Sequence, residues 1–240
     1  MNFRVLGNFS GFARHIDTSP GQFDFRSIAL LHETALLDEH DQRAIIRGLR
    51  DGHRDAWTAL YDGYSSDVWR YAARLVGGQS NEVADVVQET FLAAARAARQ
   101  FDASRGSLWS WLAGITHHQA ASHWRRTGKS ERLRALAEAG TIDLRQWWDG
   151  AEPADEIFER HELAKLVRVV LAELSSEYAT MLTAKYLDEQ SLEQMAGQFG
   201  SSVDAIKSKL ARARRDFREK FESLTREPMP TVRAVPDAQA

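Results

Sequence analysis

The sequence predicts an all-α protein: two small helical domains joined by a linker, the C-terminal one a helix-turn-helix. Three observations predict it. Apolar residues recur at three-and-four spacing through two long blocks, residues 38–126 and 155–222. Alternating strand-like runs are almost absent. Near the C-terminus a capped short helix, a glycine and a longer basic helix follow one another in the order that groove docking requires.

The composition, 43% hydrophobic and 27% charged, is that of a chain that folds. No apolar run approaches the roughly 20 residues a membrane helix needs, so no membrane insertion is expected. The N-terminus has neither a continuous apolar core nor a small-residue cleavage site, and no secretory signal is read there. With no cysteine, disulfides, thiolate catalysis and cysteine-based zinc sites are excluded, which fits a cytoplasmic location. The net charge of -3 hides an uneven distribution. Residues 131–160 are predominantly acidic, whereas Lys207, Lys209, Arg212, Arg214, Arg215, Arg218 and Lys220 crowd one C-terminal helix.

Residues 1–37 read as a weakly ordered extension with a short helix near 28–37. Ile45, Ile46 and Leu49 open the first helical block. Trp57, Leu60, Tyr61, Tyr64, Val68, Tyr71, Ala72 and Leu75 continue it until Gly77-Gly78. Ser80 or Asn81 is placed to cap the next helix, about 82–100, with Val83, Val87, Phe91, Ala94 and Ala98 on one face. Phe101–Gly106 is a turn. Ser107 caps a further helix containing Leu108, Trp111, Leu112, Ile115 and Trp124. Residues 127–154 are the linker, with short helices at 131–139 and 144–148 and a Trp147-Trp148 pair expected to pack onto a domain.

In the second block Ile157, Leu163, Leu166, Val167, Val170, Leu171 and Leu174 form one stripe, and Met181, Leu182, Tyr186 and Leu187 another. Ser191-Leu192-Glu193-Gln194 is a capping box, Leu192, Met195, Ala196 and Phe199 one buried face, and Gly200 a left-handed stop. Ser201 or Ser202 caps the last helix, whose Val203, Ile206, Leu210, Ala213, Phe217 and Phe221 face inward. Its outward residues are Ser202, Asp204, Ala205, Ser208, Lys209 and Arg212, flanked by Lys207, Arg214 and Arg215 for phosphates. Residues 223–240, with three of the five prolines, read as a flexible tail. No Gly-rich phosphate loop, nucleophile elbow or carboxylate constellation appears, so no enzyme and no cofactor are expected.

Two motif blocks narrow the reading. The run from Asn81 to Arg96, NEVADVVQETFLAAAR, closely resembles the core-polymerase-binding helix of bacterial sigma factors of the extracytoplasmic-function type. Phe101-Asp102 with Arg105-Gly106-Ser107-Leu108-Trp109-Ser110-Trp111-Leu112, then residues 115–126, are similar to that family's next segments. Residues 205–214, AIKSKLARAR, parallel its recognition helix. The resemblance covers about residues 57–126 and 156–221. It implies that the first domain binds core RNA polymerase, through the clamp helices of its largest subunit, by way of Asp85, Gln88, Glu89, Phe91, Leu92 and Arg96. It implies minus-ten promoter contacts at Arg105, Trp109, Trp111, His118, Ser122, Arg125 and Arg126. Trp109 falls elsewhere on the helix than Trp111 and is expected to be the more exposed of the two tryptophans. The resemblance implies minus-thirty-five contacts at Ser202, Asp204, Ala205, Lys207, Ser208, Lys209, Arg212 and Arg215, and the polymerase flap as a second contact. Members are commonly held by an anti-sigma protein. The chain departs from the pattern at His117 and His118, where Arg and Asn are common, and at Ser122, a usual Asp. His117, His118 and His123 lack a carboxylate or cysteine at ligand spacing, so no metal site is read there. A helix-turn-helix regulator that is not a polymerase subunit, a His-dependent hydrolase and a plain interaction protein are the alternatives.

Overall fold

In the computed structural model the described residues are 39–128, Ala135 and 156–225. The expected N-terminal extension, the short linker helices, the Trp147-Trp148 pair and most of the tail lie outside them. Eight α-helices occur among the described residues: α1 (Glu39–Asp51), α2 (Arg54–Val76), α3 (Ser80–Ala97), α4 (Leu108–Arg126), α5 (Glu156–Glu173), α6 (Ser176–Tyr186), α7 (Leu192–Phe199) and α8 (Val203–Thr225). Short 3-10 turns at Ala98–Gln100 and Ala103–Arg105 lead from α3 into α4.

Local chemistry sets most boundaries. Gly77 ends α2 at φ 104°, and Gly200 ends α7 in the left-handed region at φ 61°. Ser107 accepts from Ser110 N at the start of α4, and Ser175 from Tyr178 N at the start of α6. The capping box at α7 is complete: Gln194 N donates to Ser191 Oγ (3.1 Å) and Ser191 N to Gln194 Oε1 (2.8 Å). Ser202 rather than Ser201 caps α8, accepting from Ala205 N. One boundary differs from expectation. α3 starts at Ser80 with Gln79 as a cap that makes no side-chain bond. Replacing Ser191 with alanine should lower stability by about 1 kcal/mol, read as a shift in the urea midpoint.

α1 to α4 make the first module. Leu60, Val68, Ala72 and Leu75 of α2 are fully buried against Val83, Val86 and Ala94 of α3 and Leu112 and Ala120 of α4. Arg50 of α1 donates to Phe101 O (2.6 Å), fastening the turn that enters α4. α5 to α8 make the second, with Met181, Met195, Ile206 and Ala213 buried between α6, α7 and α8.

The two modules pack on each other. One core cluster runs from Ile45 through Leu112 and Ala120 to Leu171, Met195 and Ala213. A smaller cluster joins Trp124 to Leu166, Val169, Val170, Phe221 and Leu224. α4 lies at the centre, against α2 and α3 on one side and α5, α6 and α7 on the other. Its sequence explains this. The buried positions Leu108, Leu112, Thr116, Ala120 and Trp109, Ala113, His117, Ala121, Trp124 form two adjacent stripes. A helix that is apolar over so wide an arc is buried on more than one side.

Candidate polymerase and nucleic-acid interfaces

Five of the six candidate polymerase-binding residues line up on α3. Asp85, Gln88 and Arg96 are exposed, and Glu89 and Leu92 half-buried. These five recur at three-and-four spacing and therefore share one face. Phe91, off that line, leans its ring on Tyr61 at 4.9 Å. Beneath them Thr90 is fully buried, donating to Val86 O (2.7 Å), and with Val83, Val87 and Ala94 holds the helix to the module.

The minus-ten candidates divide. His118, Arg125 and Arg126 are exposed and Ser122 half-buried, all in the C-terminal half of α4, where Arg125 donates to Ser122 Oγ (2.8 Å). Trp111 is half-buried against Phe101, ring to ring at 5.1 Å. Trp109 reverses the expectation: it is only 7% exposed, the more buried of the two. Its ring meets Tyr71 edge-on at 6.1 Å. It also lines a cavity of about 10 Å³ with Tyr71, Thr180, Thr183, Gln190 and Gln198. Position 109 falls on the second apolar stripe of α4, the one the C-terminal module covers. The side chain of Arg105 lies outside the described residues.

His117 and His123, which the sequence leaves without a role, are structural. His117 is buried, and its Nε2 donates to Leu171 O (3.0 Å) across the module boundary. Burial, with His118 adding a smaller push, moves its pKa below the ordinary value, although the bond to Leu171 opposes this. The packed form therefore holds neutral imidazole. Its contribution is complete above the unfolded value of about 6.5 and is lost as pH falls through the lower, folded value. Urea midpoints should drop from pH 7.5 to pH 5.5 by more in the wild type than in a His117→Gln variant. His123 lies 3.4 Å from Glu82, linking α4 to α3. Among the described residues no group of His, Asp or Glu is arranged to hold a metal ion.

The minus-thirty-five candidates sit on and around α8. Ser202, Asp204, Lys207, Ser208, Arg212 and Arg215 are exposed, and Ala205 is half-buried. Lys209 is tied down: its Nζ is 2.6 Å from Glu177 at the start of α6. Arg214 donates to Tyr186 Oη (3.1 Å), and Arg215 lies 4.0 Å from Glu219. Ile206, Leu210 and Ala213 are buried on the opposite face and fix the basic face outward. A buried apolar stripe on one side and exposed cations away from it are the makings of a helix that can lie along a phosphate-lined groove.

Comparison with known proteins accords with this geometry. Residues 60–130 match the family described as Sigma-70 region 2, and residues 164–217 match Sigma-70, region 4. The ECF RNA polymerase sigma factor SigW of Bacillus subtilis (strain 168) is 26% identical over 183 residues, 75% of this chain and 96% of its own length. The ECF RNA polymerase sigma factor SigC of Mycobacterium tuberculosis (strain CDC 1551 / Oshkosh) is 30% identical over 178 residues, 74% of this chain and 89% of that protein. A solved structure, CnrH in complex with the cytosolic domain of CnrY, matches 76% of this chain and 98% of that one at 22% identity and a TM-score of 0.40. An α3–α4 pair carrying the region 2 match, followed by a capped α7 and basic α8 carrying the region 4 match, places this chain in the ECF family of RNA polymerase sigma factors.

Proposed function

We propose that this sigma factor binds core RNA polymerase through the α3 face of Asp85, Gln88, Glu89, Leu92 and Arg96, with Phe91 beside it. In this reading α4 receives the melted minus-ten strand, and α8 enters the major groove of the minus-thirty-five element. The observation that carries it is the placement of two distinct surfaces: charges beside an apolar seam on α3, and an outward row of Lys207, Arg212 and Arg215 on α8. The first suits a protein partner and the second a phosphate backbone. Arg125 and Arg126, exposed at the end of α4, suit single-strand phosphates, and the half-buried Trp111 offers a stacking edge. The polymerase flap and an anti-sigma protein are further partners on the family resemblance alone.

Co-elution with bacterial core enzyme and transcription from a promoter library test the reading. Reversing Asp85 and Glu89 together to lysine should weaken core binding by at least about tenfold while leaving duplex DNA binding by α8 unchanged. Core binding at the wild-type level would remove α3 as the polymerase contact. A regulator that never joins polymerase would bind duplex DNA but fail to co-elute.

A further inference from the structure

Helix α1 ends before the residues matched to Sigma-70 region 2, which begin at Leu60, and no candidate polymerase or promoter residue falls on it. Its sequence is two-sided. Ile45, Gly48 and Leu49 are buried where α1 packs on α2, and a methyl added at Gly48 would clash with the Cβ of Ala56. Arg43, Arg47 and Arg50 recur at four-and-three spacing on the opposite side, and all three are exposed. The turn Ala98–Gln100 packs against α1 and brings exposed Arg99 next to it.

Two contacts join this row to the surface of α4. Arg50 Nη2 donates to Phe101 O (2.6 Å), and the Phe101 ring lies 5.1 Å from that of Trp111. The cations therefore continue from the half-buried Trp111 that the proposed function gives to the melted strand. The order of the chain sets the direction. Arg125 and Arg126, at the far end of α4, precede the segment that leads to α8 and the minus-thirty-five element, which is upstream. Trp111 then marks the downstream end of α4, and α1 lies beyond it, toward the transcription start. We propose that α1 binds the phosphates of single-stranded promoter DNA immediately downstream of the minus-ten element, through Arg47 and Arg50 together with Arg99.

The surroundings of these arginines favour DNA over a protein partner. Arg47 and Arg99 form no ion pair among the described residues. Asp102, the carboxylate nearest Arg99 along the turn, accepts from Ser104 N (3.0 Å) and Ser104 Oγ (2.8 Å). The row keeps a positive balance although Asp51, also exposed, follows it. The large apolar side chains exposed among the described residues are Tyr186 and Leu187, far along the chain on α6 and just after it, and none is on α1. A protein interface buries an apolar centre. Guanidiniums on a face without one suit a phosphate backbone, which asks for charge and not for sequence. Arg43 to Arg50 covers about 10 Å of helix, the length of a few nucleotides.

This inference rests on the proposed function, and the test separates the two. Holoenzyme is reconstituted from the full chain and bacterial core enzyme. Two fork-junction probes carry one promoter recovered from the library. The non-template strand ends at the minus-ten element in the first and continues as a run of thymidines in the second. Wild-type holoenzyme should bind the longer probe more tightly. Arg47→Glu with Arg99→Glu should cut that gain by about tenfold and lower the salt slope on the longer probe by about 1.4, the share of two single-strand phosphate contacts. Binding to the shorter probe and co-elution with core enzyme should not change. Arg47→Lys with Arg99→Lys should keep the gain, because charge carries it. Arg50 is left intact because it fastens the turn that enters α4. Equal binding of both probes by the wild type, or an undiminished gain in the reversal, would overturn the proposal. Equal weakening on both probes, or loss of the gain in the lysine variant, would also overturn it. Loss of core co-elution in the reversal alone would give the row to polymerase instead of DNA. Failure of the wild-type chain to co-elute with core enzyme would overturn the proposed function itself.

Discussion

Trp124→Ala is expected to cost about 3–5 kcal/mol and to lower the melting temperature by roughly 10 °C. Trp124 is 4% exposed at the end of α4 and packs among Leu166, Val169 and Val170 of α5 and Phe221 and Leu224 of α8. Its Nε1 donates to Leu75 O (3.0 Å), one of the last carbonyls of α2, which has no partner within its own helix. Alanine would leave a void shared by both modules and an unpaired buried carbonyl. Trp124→Phe keeps most of the volume and loses the bond, so about 1–2 kcal/mol is expected. Trp111→Ala should cost less stability, because that ring is only half-buried, at the edge of the first cluster and against Phe101. Thermal unfolding by circular dichroism gives all three values. A loss below about 1 kcal/mol for Trp124→Ala would mean that the second cluster does not hold the modules together.

That contrast shows what the sequence could tell. Caps and stops at Ser107, Ser191, Ser202, Gly77 and Gly200 were legible because each is settled within four residues. Both motif blocks were legible because their spacing is local. The packing of one module on the other was not, since its bonds join residues far apart in the chain, as Tyr71 with Thr180 and Arg74 with Asp188 do. Hence Trp109 reads as exposed when a single apolar stripe is assumed for α4. The second stripe, Trp109, Ala113, His117, Ala121 and Trp124, is visible in the sequence and points to a second covered side. His117 follows the same logic. An arginine there would carry a full charge into the position where imidazole, held neutral, donates to Leu171 O. By its spacing Lys209 is one of the outward recognition residues, and only the position of Glu177, on another helix, reveals its pairing.

The basic face of α8 carries the second large effect. Reversing Lys207 and Arg212 together to glutamate should weaken binding to a random-sequence duplex by about a hundredfold or more at low salt. The slope of log affinity against log salt should fall by about two. The choice of residues follows from their surroundings. Both are exposed, and the described contact of Arg212 is a long bond from Nε to its own helix at Ser208 O (3.4 Å). Neither forms a direct ion pair among the described residues, although Lys207 is near enough to the exposed Glu193 to help lower that carboxyl's pKa. Lys209 must leave Glu177, so Lys209→Glu would mix a lost DNA contact with a repulsion at the start of α6. The pairing of Lys209 reversal with Arg212 reversal should also abolish DNA binding, but only the Lys207 and Arg212 pair reports on phosphate contacts without disturbing α6. Because Ile206, Leu210 and Ala213 face away from both, the helix itself should survive, and co-elution with core polymerase should be retained. A lower affinity with an unchanged salt slope would place these cations off the phosphate backbone. Loss of polymerase association in the same variant would mean that α8 and α3 do not divide the work between DNA and enzyme.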